Sequence, residues 1–171
     1  MLALSVVLAL TSFTEWAHMT YAGSSSSSGQ VKVSAAMSGF GSVSVTVPGI
    51  QGAAQRHAAE RGEAAALEAE GPNAPGIAVL TIGLLMAAAA LAYLRTPRRA
   101  AAAGVVVGLS ALGLMNGIWR IANPRQMFND PAGWNSAHYS PGFGLVVATV
   151  VSLALIGLGV YALVLERRPT P

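Results

Sequence analysis

Three long apolar runs constrain the fold of this chain more than any other feature of its sequence. They cover residues 76–94, 100–119 and 142–165, and none of them contains Asp, Glu, Lys, Arg or His. One helical crossing of a hydrocarbon core about 30 Å thick needs roughly 20 apolar residues, because each residue adds about 1.5 Å. The sequence therefore predicts three transmembrane helices.

A shorter apolar run begins the sequence. Residues 1–14 would form only about 21 Å of helix, and no basic residue precedes them. Two interpretations stay open: a first span over residues 1–16 that is short or begins upstream, and a signal peptide cleaved near residues 20–22. We predict a membrane all-α fold, a four-helix transmembrane bundle whose first span is short.

The composition agrees with a membrane protein. Of the 171 residues, 53% are hydrophobic and only 10% are charged, against about 25% charged in soluble domains. The 10 Lys and Arg residues outnumber the 7 Asp and Glu residues, but they form no stripe that could follow a phosphate backbone. The chain has no Cys, which excludes disulfides and Cys nucleophiles. We expect contact with the lipid bilayer and no binding to nucleic acid.

Arg residues are distributed unevenly between the two ends of the predicted spans. Five lie in the turn 95–99 and the tail 166–171: Arg95, Arg98, Arg99, Arg167 and Arg168. The loop 120–141 contains only Arg120 and Arg125. Because basic loops stay in the cytoplasm, we predict a plasma-membrane protein with a cytoplasmic C-terminus. Segment 17–75 and loop 120–141 are then extracytoplasmic. Three Trp residues fall on that side, at headgroup level: Trp16, Trp119 and Trp134.

Within segment 17–75, the sequence predicts a small β-hairpin insert. Residues 24–28 are Ser and read as a flexible linker. Valines then alternate with polar residues on both sides of the turn "SGFG", which predicts a hairpin over residues 30–48. Residues 52–69 favour a helix, but Leu67 is its only large apolar side chain, so we expect that helix to be weak.

Small residues spaced four apart favour close packing of helices in lipid. Three such pairs occur in the apolar runs 100–119 and 142–165: Gly104 with Gly108, Gly113 with Gly117, and Ala148 with Ser152. At about 100° per residue, the two Gly pairs fall on nearly opposite sides of one helix. We therefore expect intramolecular packing, with a homo-oligomer face as the alternative.

Enzymatic chemistry has little support in this sequence. His18, His57 and His138 are far apart, and no HExxH, GxSxG or phosphate-binding loop is present. Glu15 is close enough in sequence to pair with His18, although its simpler role is to end the first span. The long apolar runs also lack the ionisable groups that ion-coupled carriers place at mid-membrane. We predict no catalytic residues, no metal and no cofactor.

The loop that starts with "WRIANPRQMFNDP" is the candidate binding site. It combines charged, amide and aromatic groups, of which six form the predicted site: Trp119, Arg120, Arg125, Asp130, Trp134 and His138. The simpler interpretation is that the aromatic and Arg residues anchor the loop at the membrane interface. The functional interpretation is a pocket or a partner surface, with Arg125 and Asp130 close enough in sequence to pair.

The plan of the chain resembles small four-span membrane proteins of unassigned function from actinobacteria, such as the tryptophan-operon-associated membrane proteins. The resemblance rests on Trp16 after the first span, the insert "SGFGSVSV", the turn "LRTPRR" and the sequence "SPGFGL" before the last span. It implies a fold but no activity. We predict a non-enzymatic accessory subunit or scaffold that engages a membrane protein partner. The alternative is a small-ligand or lipid-binding sensor or transport component.

Overall fold

A computed structural model describes residues 1–25, 29–48, 50, 52–69, 74–128 and 137–166. The helices in these ranges are α1 (Leu2–Thr11), α2 (Ala53–Ala69), α3 (Pro75–Arg95), α4 (Arg99–Ala122) and α5 (Phe143–Glu166). The strands are β1 (Glu15–Ser25), β2 (Gly29–Ser38), β3 (Val43–Thr46) and β4 (His138–Pro141). A 3₁₀-helix covers Pro124–Phe128.

The three predicted long spans are the helices α3, α4 and α5. They contain 21, 24 and 24 residues and are long and apolar enough to cross a membrane. Pro75 begins α3, where the missing N–H of proline costs no helical hydrogen bond. Many large apolar side chains on these helices are exposed, which suits lipid and not water. The structure is therefore compatible with a membrane protein.

The first predicted span is shorter in the structure than the sequence suggested. Helix α1 has 10 residues, or about 15 Å of rise, and it ends at Thr11 instead of reaching residue 16. Among the described residues, three helices and not four meet the length of a span. Helix α1 nevertheless packs alongside α3 and α5. Close packing is possible because Gly83 of α3 faces the backbone of Ala9.

Side-chain donors explain why α1 stops at Thr11. The last carbonyl groups of a helix have no partner within it. Here the hydroxyl of Thr11 donates to the Leu8 carbonyl at 2.6 Å, and the hydroxyl of Thr14 donates to the Thr11 carbonyl at 2.7 Å. The indole of Trp16 donates to the same Thr11 carbonyl, also at 2.7 Å. These bonds stabilise the helix end and let the chain turn into β1.

One antiparallel sheet of order β3-β2-β1-β4 covers the end of the bundle. Strands β2 and β3 form the hairpin that the sequence predicts, with Ala35 opposite Val45. Gly41 has a φ of 81° in the turn, a conformation that glycine adopts without strain. The sequence did not predict β1 and β4. Ser24 and Ser25 belong to β1, so the predicted linker is wrong there, and residues 26–28 lie outside the described ranges.

The inner face of the sheet contributes much of the core next to the bundle. Apolar side chains alternate along its strands, and the buried ones include Met19, Tyr21, Val33, Ala35, Met37 and Val45. Met127 and Phe128 of the 3₁₀-helix and Leu67 of α2 belong to the same cluster. Because successive strand residues point to opposite faces, the polar residues between them are left on the outer face.

Trp16 joins the sheet to the bundle. Its side chain has an exposed fraction of 0%, so it packs inside the protein and does not face lipid headgroups. Its carbonyl accepts a hydrogen bond from the backbone N–H of Gly142 at 2.8 Å, just before α5. Beside it, Gly76 at the start of α3 donates to the Gly39 carbonyl at 2.7 Å. A Cβ atom at Gly76 would lie 2.7 Å from the Gly39 backbone, so only glycine permits this approach.

Replacing Trp16 with Phe should destabilise the fold by about 2–4 kcal/mol, because the buried Thr11 carbonyl loses its indole donor and the smaller ring leaves a void. Thermal unfolding in mild detergent, followed by circular dichroism, measures the loss. Trp119→Phe is the matched control, since Trp119 is 59% exposed. An equal effect of the two substitutions would contradict the role given to Trp16.

Helix α2 is held to the sheet by polar contacts as well as by Leu67. The sequence predicts a weak helix over residues 52–69, because it has only one large apolar side chain. These polar contacts explain how the helix is nevertheless held in place. The carboxylate of Glu68 accepts a hydrogen bond from the Val43 backbone N–H at 3.1 Å. The Tyr21 hydroxyl donates to the carboxylate of Glu63 at 2.9 Å. The contact at Val43 also covers an N–H group at the edge strand of the sheet.

The Tyr21–Glu63 contact makes folding sensitive to alkaline pH. Burial raises the pKa of Tyr21 well above its ordinary value, and the hydrogen bond to Glu63 raises it further. The unfolded chain loses this proton near pH 10 while the folded chain keeps it. Stability is therefore unaffected below pH 10 and falls above it, by at most about 1.4 kcal/mol per pH unit. We expect Tyr21→Phe to lower stability at pH 8 by about 1 kcal/mol and to flatten the loss between pH 10 and 11, measured by thermal unfolding at each pH.

Candidate functional site

Three of the six predicted site residues lie together where α4 ends. Trp119 is exposed, and its indole donates to the side-chain carbonyl of Gln126 at 3.3 Å. Arg120 is half-buried and donates from Nε to the side-chain carbonyl of Asn116 at 3.2 Å. Arg125 is exposed in the 3₁₀-helix. Asp130 and Trp134 lie outside the described residues, so the predicted pairing of Arg125 with Asp130 stays a prediction.

The loop after α4 folds back under the sheet. Asn123 ends the helix by donating from its side-chain amide to the Trp119 carbonyl at 2.9 Å, and Pro124 prevents further helix. Met127 and Phe128 are then buried. Phe128 packs against Tyr139 of β4, with ring centroids 5.9 Å apart. This part of the loop therefore supports the core, while Arg125 stays on the surface.

The structure separates His138 from the two Arg residues. Because Tyr139 faces Phe128 beneath the sheet, its neighbours His138 and Ser140 belong to the opposite face. Their cross-strand partners on β1 are Thr20 and His18. His138 therefore belongs to the outer face of the sheet, whereas Trp119, Arg120 and Arg125 lie near the end of α4.

The outer face of the sheet carries a chain of three polar side chains. Nδ1 of His18 lies 3.2 Å from a carboxylate oxygen of Glu15, and Nε2 of His18 lies 2.9 Å from the hydroxyl oxygen of Ser34. Small polar residues surround this chain on the same face: Thr20, Ser44, Thr46, His138 and Ser140. Both Glu15 and His18 are open to solvent. The face can therefore form hydrogen bonds with a partner.

The order carboxylate, imidazole, hydroxyl is also that of a catalytic triad, so the surroundings of Ser34 matter. Ser34 sits within a central strand, opposite Thr20 on one side and Thr46 on the other. The backbone N–H groups around it are used by these two ladders. Acyl transfer needs free hydrogen-bond donors aimed at the developing oxyanion. The paired backbone of β2 around Ser34 does not supply such donors.

Sequence reasoning missed this outer face although a signal was present. Met19 and Tyr21 alternate with His18 and Thr20, the period expected of a half-buried strand. The alternation breaks at the β-bulge between Glu15 and Ala17, and Trp16 was interpreted as an interface anchor. The pairing of β1 with β4 joins positions more than 115 residues apart, which no local pattern reveals.

The small-residue pairs divide into an internal and an external set. Gly113 and Gly117 are buried against α5, where an added Cβ would meet the hydroxyls of Ser152 and Thr149. Ala148 and Ser152 are buried in the same contact. Gly104 and Gly108 are exposed on the other side of α4, where an added Cβ would meet nothing within 4 Å. Intramolecular packing thus accounts for one Gly pair, and the second pair faces outward.

No protein-family model and no curated protein matches this sequence. The resemblance to small four-span membrane proteins therefore stays a prediction. Function has to be argued from the geometry of the bundle and the sheet.

Proposed function

We propose that this protein is a non-enzymatic accessory subunit or scaffold of the plasma membrane, which associates laterally with another membrane protein or with a second copy of itself. The observation that carries the proposal is the open surface at Gly104 and Gly108 on α4. The polar outer face of the sheet supplies a second surface, next to the membrane, for the same partner.

The cost of placing glycine inside the helix α4 supports a partner at this surface. Each Gly in the interior of a helix costs about 1 kcal/mol relative to Ala. At Gly113 and Gly117 the cost is offset by close contact with α5. At Gly104 and Gly108 no described side chain makes use of the missing Cβ. A second helix packed there would use it, since small residues four apart let two backbones approach in lipid.

The proposed orientation places the sheet outside the cell and the turn between α3 and α4 in the cytoplasm. Its support is the excess of Arg in that turn and in the C-terminal tail. Because the chain has no Cys, single Cys residues can report the side. An impermeant maleimide applied to intact cells should label Ser44→Cys and leave Thr96→Cys unlabelled. Labelling at position 96 and not at position 44 would show that the orientation is the opposite of the one proposed.

Gly108→Leu should weaken association by about tenfold or more, because the larger side chain holds the two backbones apart. Native mass measurement after gentle detergent extraction, with quantification of the co-purified partner, detects the change. Gly157→Leu is the control: Gly157 on α5 is equally open but has no small residue four positions away. Gly117→Leu should instead damage the fold, since an added side chain meets Thr149. Equal association of the Gly108 and Gly157 variants would overturn the proposal.

The absence of enzyme activity is testable at Ser34. We expect a fluorophosphonate probe to leave the purified protein unlabelled, because the hydroxyl lies in a paired strand without oxyanion donors. Ser44→Ala and Ser34→Ala provide the comparison, since both residues belong to the outer face. Labelling that disappears in Ser34→Ala and persists in Ser44→Ala would show a nucleophile and make the protein an enzyme.

The alternative is a ligand or lipid-binding sensor or transport component that uses the outer loop. It is favoured by one observation, the grouping of Trp119, Arg120 and Arg125 at the end of α4. Two guanidinium groups on consecutive elements suit an anionic group. In that case Arg125→Ala would abolish the response to the ligand and leave association unchanged, whereas Gly108→Leu would do the reverse.

A further inference from the structure

A second surface lies at the end of the bundle opposite the sheet. There a cleft of about 520 Å³ opens between the start of α1 and the ends of α3 and α5. Its lining is apolar except for the side chains of Tyr93 and Tyr161. The cleft belongs neither to the outer face of the sheet nor to the Gly104–Gly108 surface.

The shape of the cleft follows from the size of its side chains. Ala90 on α3 and Ala162 on α5 form a buried floor, and their small side chains leave the space open. The rim is exposed, with Leu94 at 67% and Tyr161 at 61%. From Leu158 to Leu165 the wall formed by α5 extends for about 10 Å along the helix axis. An open apolar trough in a membrane-spanning region suits a flexible hydrocarbon chain.

Positive charge lies directly beyond this trough. Arg95 is in the last turn of α3, Arg98 lies in the short turn that follows, and Arg99 begins α4; all three are exposed. The nearby carboxylate of Glu166 accepts a hydrogen bond from the Tyr93 hydroxyl at 3.4 Å. Arg presents planar donors that match a phosphate group. Basic residues next to the membrane also attract anionic lipid.

We propose that the cleft binds one acyl chain of an anionic phospholipid, whose headgroup phosphate is held by Arg95, Arg98 and Arg99. The apolar cleft and the basic residues are adjacent, so one lipid molecule can place its acyl chain in the cleft and its phosphate beside the Arg residues. The inference does not depend on a lateral partner at Gly108, because the two surfaces are formed by different residues.

The test uses the full chain, delipidated in mild detergent and then supplied with phosphatidylglycerol or phosphatidylcholine of the same acyl composition. Native mass spectrometry counts the lipids that stay bound as collision energy rises. We expect one phosphatidylglycerol per chain, retained about tenfold or more over phosphatidylcholine because of the three Arg residues. The double variant Arg98→Gln with Arg99→Gln should remove most of this preference.

A second pair of variants tests the trough itself. Ala3→Trp should fill it and abolish retention, since Ala3 is exposed and lines the cleft. Leu10→Trp is the control, because Leu10 is exposed two turns further along α1 and outside the cleft. Equal retention of the two lipids, or retention that survives Ala3→Trp, overturns the proposal. A lipid-free dimer that Ala3→Trp dissociates would assign the cleft to a second copy of the chain.

Discussion

The hydrogen bond from the Trp16 indole to the Thr11 carbonyl is the contact on which the rest of the structure depends. It stabilises the end of α1 and fixes the start of β1 directly above it. The carbonyl of the same Trp16 receives the backbone N–H of Gly142, which sets where α5 begins. Around this buried ring, backbone groups of the sheet and of the bundle lie within hydrogen-bond distance of each other. The short helix α1, the sheet and the helix α5 therefore share one fixed point.

Glycine serves two purposes on α4. Where α4 meets α5, Gly113 and Gly117 leave room for the hydroxyl side chains of Ser152 and Thr149. Close contact of this kind stabilises helix pairs in lipid, where the hydrophobic driving force between helices is largely absent. At Gly104 and Gly108 the same motif faces away from the described protein. The two ends of the bundle also differ, since a polar sheet covers one end and an apolar cleft next to basic residues opens at the other.

The candidate site illustrates how far the sequence could lead. Trp119, Arg120 and Arg125 were found from composition, because charged and aromatic residues between two apolar runs stand out. His138 was grouped with them only because it belongs to the same loop. In the structure it shares a face with Thr20 instead, since β4 joins β1. The contacts of Glu15, His18 and Ser34 were missed, because they depend on strand pairing and on a bulge that local periodicity does not reveal.

The sequence by itself determined the three long helices and the β2–β3 hairpin. These elements depend on the length, apolar content and alternation of short segments. They can therefore be predicted from the local sequence. Only the tertiary structure decided that Trp16 is buried, that α1 ends at Thr11 and that one Gly pair faces inward. The physical reason is that each of these depends on which distant backbone lies within hydrogen-bond or van der Waals distance. That is a property of the packed chain and not of any segment.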